Sequence, residues 1–148
     1  MTWLFLAEAW KSLAHLHGDR EASLCQTATV QDACCLVDPL QLEQVFRNIL
    51  ENSLAACSDP VGIEAHFTAT AVESEEAIQV AIRDNGPGLS DEQRENIFQP
   101  FYTTKSQGSG LGMAITRRII EAHGGQIAVG PPGMPGTEIL ITLPRGER

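Results

Sequence analysis

The 148-residue chain carries ten Lys and Arg against nineteen Asp and Glu, a formal net charge of −9, and 43% of it is hydrophobic. That length and balance describe one globular domain with a core of its own rather than a disordered acidic tail. The sign of the charge excludes a general nucleic-acid binder and an anionic membrane surface, since both need clustered Lys and Arg. The longest apolar run, Trp3 to Ala7, is broken by Glu8 and Lys11. It is far shorter than the ~20 apolar residues that span a bilayer. It also lacks the basic leading segment and small-residue cleavage site of a signal peptide.

In chain order, residues 2–17 read as one helix, with Trp3, Leu6, Trp10, Leu13 and Ala14 forming an apolar stripe and His17-Gly18-Asp19 ending it. Two short strands are expected at Ser23–Ala28 and Ala33–Val37. Asp38-Pro39-Leu40-Gln41 then combines an N-cap residue, Pro at the first helical position and Gln three residues after the cap. The helix it starts carries Leu42, Val45, Phe46, Ile49, Leu50 and Ser53 at helical spacing, up to Cys57 and the Ser58-Asp59-Pro60 break. Alternation over Gly62–Glu73 and Ala77–Arg83, joined by a turn at residues 73–76, predicts an antiparallel hairpin.

Beyond the hairpin, Ser90-Asp91-Glu92-Gln93 predicts a short capped helix. Residues 99–109 have no period and read as a long loop. A third long helix is expected from Leu111 to His123, with Leu111, Ala114, Ile115, Ile119 and Ala122 inward and Gly124-Gly125 as its stop. Strands at Gln126–Val129 and Thr137–Leu143, joined by the Pro- and Gly-rich turn at 131–136, complete the chain. The expectation is an α/β (α+β) two-layer sandwich in one domain over residues 1–148, with a mixed, mostly antiparallel sheet covered on one face by three helices.

Cys25, Cys34, Cys35 and Cys57 have no metal-ligand spacing. They read as small buried hydrophobes in a reducing compartment. Four segments carry possible chemistry. Asn48 and Asn52 project from the same side of the second long helix, where two carboxamides either mark a polar boundary or offer oxygen to a hard cation such as Mg²⁺. Asp84-Asn85-Gly86-Pro87-Gly88 is either an ordinary tight turn or a strand-end carboxylate that takes a hydrogen bond from an exocyclic amine, with glycines that admit a ligand close to the backbone. Phe98 to Lys105 places two aromatics before a hydroxyl-rich loop, which suits a lid anchored by one Phe. Gly108-Ser109-Gly110-Leu111-Gly112 leads into a helix whose free N–H groups favour an anion, and Lys105 brings a positive charge to the same place. This is neither a Walker A loop nor a dinucleotide fingerprint.

Taken in order, the Asn-bearing helix, D-N-G-P-G, F-x-P-F-x-T-T-K, G-S-G-L-G-M-A and a late G-T strand resemble the catalytic ATP-binding domain of sensor histidine kinases, within the wider gyrase, Hsp90, histidine kinase and MutL family. The likeness covers roughly residues 33–143. It implies ATP and Mg²⁺ as cofactors, with Asn52 as the metal ligand and Asn48 near the phosphates. Asp84 would take the adenine amino group, and Gly86 and Gly88 would shape the pocket floor. Phe98 to Lys105 would be the ATP lid, bringing Phe101, Thr103, Thr104 and Lys105 to the nucleotide. Gly108, Gly110, Leu111 and Gly112 would hold the phosphates, and Thr137 would reach the adenine side through water.

Asn48 and Lys105 are the catalytic candidates. Hydrolytic members of the family carry a water-activating Glu where this chain has Asn48, a poor general base, which favours phosphoryl transfer over fast hydrolysis. Ala55 and Ala56 replace a basic and an aromatic residue found in many histidine kinases. The resemblance further implies a phosphoacceptor histidine on a separate dimerisation domain, a downstream response regulator, a cytoplasmic location without direct membrane contact, and a monomeric isolated domain. None of His15, His17, His66 and His123 has the setting of an acceptor. A nucleotide-sensing or docking module without transferase activity, and an anti-sigma-type protein serine kinase, fit the same residues.

The charge is unevenly spread. Residues 1–83 hold twelve acids and four bases, net −8, whereas residues 93–120 hold Arg94, Lys105, Arg117 and Arg118 against Glu95, net +3. The acidity therefore does not oppose one bound nucleotide. It does require Mg²⁺ and a helix N-terminus to neutralise much of a triphosphate.

Overall fold

The computed structural model describes residues 2–103 and 110–145. Its elements are α1 (Thr2–Ser12), α2 (Ala14–His17), β1 (Ala22–Ala28), α3 (Pro39–Ala56), β2 (Val61–Val72), β3 (Glu75–Asp84), α4 (Asp91–Asn96), α5 (Gly112–Ala122), β4 (Gln126–Val129) and β5 (Glu138–Pro144). The five strands form one sheet in the order β1-β2-β3-β5-β4. Among the described strands β1 and β2 run parallel, and the other pairs are antiparallel. The expected two-layer fold is the observed one.

Strand alternation puts one apolar row of each strand under the helices. Val61, Ile63, Ala65 and Phe67 of β2, Ile78, Val80 and Ile82 of β3, and Ile139, Ile141 and Leu143 of β5 are all buried. Against them lie Leu6 and Ala9 of α1, the stripe Leu42, Val45, Phe46, Ile49, Leu50 and Leu54 of α3, and Met113 and Ile120 of α5. Phe46 and Phe67 are fully buried, each contributing about 1.5–3 kcal/mol relative to an exposed ring. The opposite face of the sheet is open and polar. There Glu64 pairs across from Arg83, Arg83 pairs across from Glu138, and the Arg83 Nη2–Glu138 Oε2 distance is 2.8 Å.

α3 forms as its cap predicts, with the Asp38 carboxylate accepting from the N–H groups of Leu40 and Gln41. Its far end has no basic residue in the last turn. Arg20, between α2 and β1, donates instead to the carbonyls of Leu54 (2.5 Å) and Cys57 (2.9 Å) and pairs with Asp59 at 2.8 Å. α4 has the capping box expected at Ser90 and Gln93.

Five expectations need correction: of the four cysteines read as buried only Cys57 is, with Cys25 exposed and Cys34 and Cys35 half-buried. The single helix over 2–17 is two, because Leu13 leaves helical geometry (φ −97°, ψ 14°) while its side chain stays buried. Ala33–Val37 is not a strand and makes one bridge, Cys35 to Arg145. The Ala33 carbonyl is taken by the N–H and hydroxyl of Thr2 rather than by a ladder. The hairpin turn tightens to Glu73-Ser74, both at positive φ (50° and 70°), the two-residue geometry that usually selects Asn-Gly. The buried face of α5 is Met113, Ala114, Thr116 and Ile120, whereas Ile115 and Ala122 are exposed. Burying the Thr116 hydroxyl is tolerable because it donates to the Gly112 carbonyl at 2.9 Å.

Candidate functional site

Asp84 ends β3 under the C-terminal half of α3, and it is buried. A carboxylate in that position needs donors, and they come from three parts of the chain. Its Oδ1 accepts from the backbone N–H of Gly86 and of Thr137, both at 3.0 Å, and its Oδ2 accepts from the Ser53 hydroxyl at 2.9 Å. The Asp84 N–H donates in turn to the Thr137 carbonyl at 3.0 Å. Gly136 (φ +79°) lets the 131–136 turn reach this point, since a Cβ there would sit 1.8 Å from the Asp84 carbonyl oxygen. Asn85 fixes the turn from the other side, accepting from the Gly62 N–H and donating to the Pro60 carbonyl, both at 2.9 Å.

Asn48 and Asn52, one turn apart on α3, are half-buried. The Asn48 side-chain nitrogen donates to the Gly112 carbonyl (3.0 Å) and to the Thr116 hydroxyl (3.2 Å), which ties α3 to the first turn of α5. A Cβ at Gly112 would stand 3.7 Å from the Asn48 carboxamide carbon, an ordinary contact, so the α3–α5 approach does not itself require glycine there. Leu111, at the N-cap position of α5, supplies no side-chain cap. Gly110 (φ +73°) leaves no room for a Cβ, which would lie 2.5 Å from the Phe101 carbonyl carbon, and the Phe101 N–H donates to the Gly110 carbonyl at 2.9 Å. The two ends of the lid segment are thus held together.

The sequence and fold are matched by known proteins. The family model for histidine kinase-, DNA gyrase B- and HSP90-like ATPases fits residues 37–147. The chain belongs to that family.

The catalytic domain of the histidine kinase ThkA superposes with a TM-score of 0.82 at 27% identity, over 95% of this chain and 90% of that one. The C4-dicarboxylate transport sensor protein DctS of Rhodobacter capsulatus is 31% identical over 139 residues, 94% of this chain and 21% of that protein. The sensor protein FixL of Bradyrhizobium diazoefficiens is 37% identical over 112 residues, 76% of this chain and 22% of that protein. The chain is therefore a histidine-kinase-type ATPase domain, and it spans about a fifth of the length of these sensor relatives.

Within this ATPase-family domain, Asp84, Gly86 and Thr137 meet in one cradle, and Asn48, Gly112, Gly110 and Phe101 cluster at the start of α5. Gly88 (φ +80°) packs against the Gly136 carbonyl. Phe98 is the ring packed on the core, whereas Phe101 is 74% exposed and at positive φ (65°). Thr103 is exposed at the end of the described lid segment. Thr104, Lys105 and Gly108 lie outside the described residues.

Ser53 and Cys57 belong to the site although the sequence pointed only to their helix. A hydroxyl inside the apolar stripe of α3 was the available signal for Ser53, because a buried hydroxyl requires a partner. Cys57 is buried beside Asp84. Desolvation first, then the neighbouring carboxylate, push its thiol up to about 11, so it stays protonated and unreactive at neutral pH.

The donor set suits Mg²⁺ rather than a metal held by protein alone. The described residues contain no group of three or more His, Cys, Asp or Glu that could hold an ion, while Asn48 and Asn52 offer hard oxygen on one helix face. Mg²⁺ commonly takes one or two such protein ligands and completes its shell with water and substrate phosphates. No helix among the described residues is long and apolar enough to cross a membrane.

Proposed function

We propose that the domain binds Mg·ATP and supplies the γ-phosphoryl group to a histidine on a separate dimerisation domain, in two-component signalling with a downstream response regulator. The observation that carries this reading is the Asp84 cradle. A carboxylate with Oδ1 fixed by two backbone N–H groups and Oδ2 by one hydroxyl is an oriented acceptor with capacity left for one more donor, and the amino group of adenine supplies one. Guanine, with a carbonyl oxygen at the equivalent position, does not.

Asn52 would hold Mg²⁺ through its side-chain oxygen, and the N–H groups at the start of α5 would meet the phosphates with the positive end of the helix dipole. Bound there, the metal supplies charge neutralisation for the transferring phosphoryl group. The protein's part is positioning, which is most of what phosphoryl transfer requires. Asn48 takes no proton from water, because a carboxamide is not a base at neutral pH and its nitrogen is already engaged with Gly112 and Thr116. That supports transfer to a histidine over hydrolysis.

The test is to titrate the domain with ATP in the presence of Mg²⁺, and then to mix it with the dimerisation domain of the same kinase and radiolabelled ATP. Saturable binding followed by acid-labile label on the dimerisation domain is expected. Acid-stable label on serine would replace histidine as the acceptor, binding without label would reduce the domain to a nucleotide sensor, and absence of binding would overturn the reading.

A further inference from the structure

β1 is an edge of the sheet, and the strand itself carries none of the residues that usually protect an edge. Its sequence, Ala22-Ser23-Leu24-Cys25-Gln26-Thr27-Ala28, contains no charge and no proline, although Lys, Pro or a bulge ordinarily marks an edge strand. The neighbouring bonds show which backbone groups are free. The Val61 N–H donates to the Glu21 carbonyl at 2.7 Å and the Thr29 N–H to the Phe67 carbonyl at 3.0 Å, with unbroken register between. Glu21, Ser23, Cys25, Thr27 and Thr29 therefore turn their N–H and C=O toward β2, and Ala22, Leu24, Gln26 and Ala28 turn theirs outward.

We propose that this edge pairs with the same strand of a second copy, antiparallel and two-fold symmetric about Cys25. The strand is self-complementary in that register. Ala22 faces Ala28 of the other copy, Leu24 faces Gln26 through their outward main-chain groups, and Ser23 faces Thr27, whose hydroxyl is hydrogen-bonded to His66 Nδ1 of its own chain. No like charges meet: Glu21 falls opposite Thr29 and Arg20 opposite Val30. On a chain of net charge −9, an uncharged edge lets a second copy pair without bringing further like charges into contact. That favours self-pairing over a charged foreign strand.

Because the main-chain groups of Cys25 point to β2, the two Cys25 residues form a non-hydrogen-bonded pair, with Cα atoms about 4.5 Å apart. That is at the short end of disulfide reach. Cys25 is an exposed free thiol on the open face, so it reports the register directly. One strand pair buries less than a permanent dimer needs, and the chain is accordingly a monomer when dilute.

Sedimentation velocity on the 148-residue chain, over roughly 10 µM to 1 mM, the range suited to a small interface, should show a reversible monomer–dimer equilibrium. Cys25→Lys sets two like charges face to face and should raise the dimer Kd by at least about tenfold, whereas Cys25→Ser should leave it nearly unchanged. Diamide, which takes one hydrogen from each of two thiols, should trap a covalent dimer whose peptide map shows Cys25 joined to Cys25. A monomer at every concentration, a dimer insensitive to Cys25→Lys, or a disulfide map through Cys34 or Cys35 would each overturn the proposal. The peptide map decides the matter even if Cys25→Lys does not fold.

Discussion

The back and the mouth of the candidate nucleotide site are built in opposite ways. At the back, Asp84 is buried and takes hydrogen bonds from α3, from its own turn and from the approach to β5. At the mouth, the described ends of the lid are held by the Phe101–Gly110 backbone bond, beside an exposed phenylalanine and a helix without a side-chain cap. The back is assembled by folding itself, so a base bound there, as proposed, would meet an acceptor already ordered.

Gly136→Ala should break this contrast most severely. The added Cβ would meet the Asp84 carbonyl oxygen at 1.8 Å from a backbone at φ +79°, and neither chain can yield without losing the cradle. A loss of more than about 3 kcal/mol in urea unfolding is expected. A melting temperature unchanged within a few degrees would show that the back is not rigid.

Asp84→Asn should separate fold from recognition. The Asn oxygen can keep the Gly86 and Thr137 N–H groups and its nitrogen can donate to Ser53, so stability should fall by about 1 kcal/mol or less. ATP affinity should fall by at least tenfold, roughly the cost of setting a donor against the adenine amino group. Calorimetric titration measures the second and thermal unfolding the first.

Gly110→Ala tests the mouth. Its Cβ would press on the Phe101 backbone at 2.5 Å, a clash relieved by giving up the Phe101–Gly110 backbone bond. ATP affinity should drop several-fold, and global stability by no more than about 1 kcal/mol.

The smallest effect is alkaline. Cys57 binds its proton more tightly folded than unfolded, with the folded thiol at about 11 against an ordinary 9.0. The stability it contributes is therefore complete below pH 9 and is lost as the pH rises through about 11. Unfolding free energy followed from pH 8 to 11 should decline over that window in the parent and less in Cys57→Ala. A thiol reagent at pH 8 should label exposed Cys25 well before Cys57.

Much of the frame was legible because its signals are local. The Asp38-Pro39 start, the Ser90-Gln93 box and strict alternation in β2 and β3 each act within a few residues, and each predicts its element closely. The misses are tertiary. Ala33–Val37 has strand composition, yet Thr2, thirty-one residues earlier, takes the Ala33 carbonyl. Ile115 and Ala122 fit an inward stripe on α5, but Asn48 and Gly112 satisfy the Thr116 hydroxyl and the helix buries that side instead. In the site, glycines and the strand-end Asp stand out in the sequence. Ser53 does not, because its partner lies on another element.

The Arg20 contacts have a mechanical meaning. α3 carries both asparagines of the site, and the carbonyls at its last turn are held by a guanidinium that belongs to the stretch of chain leading out of α1 and α2. The incoming segment and the nucleotide-facing helix are thus latched at one side chain. Together with the packing of α1 on α3, these contacts tie the leading segment to the end of the helix that carries Asn48 and Asn52.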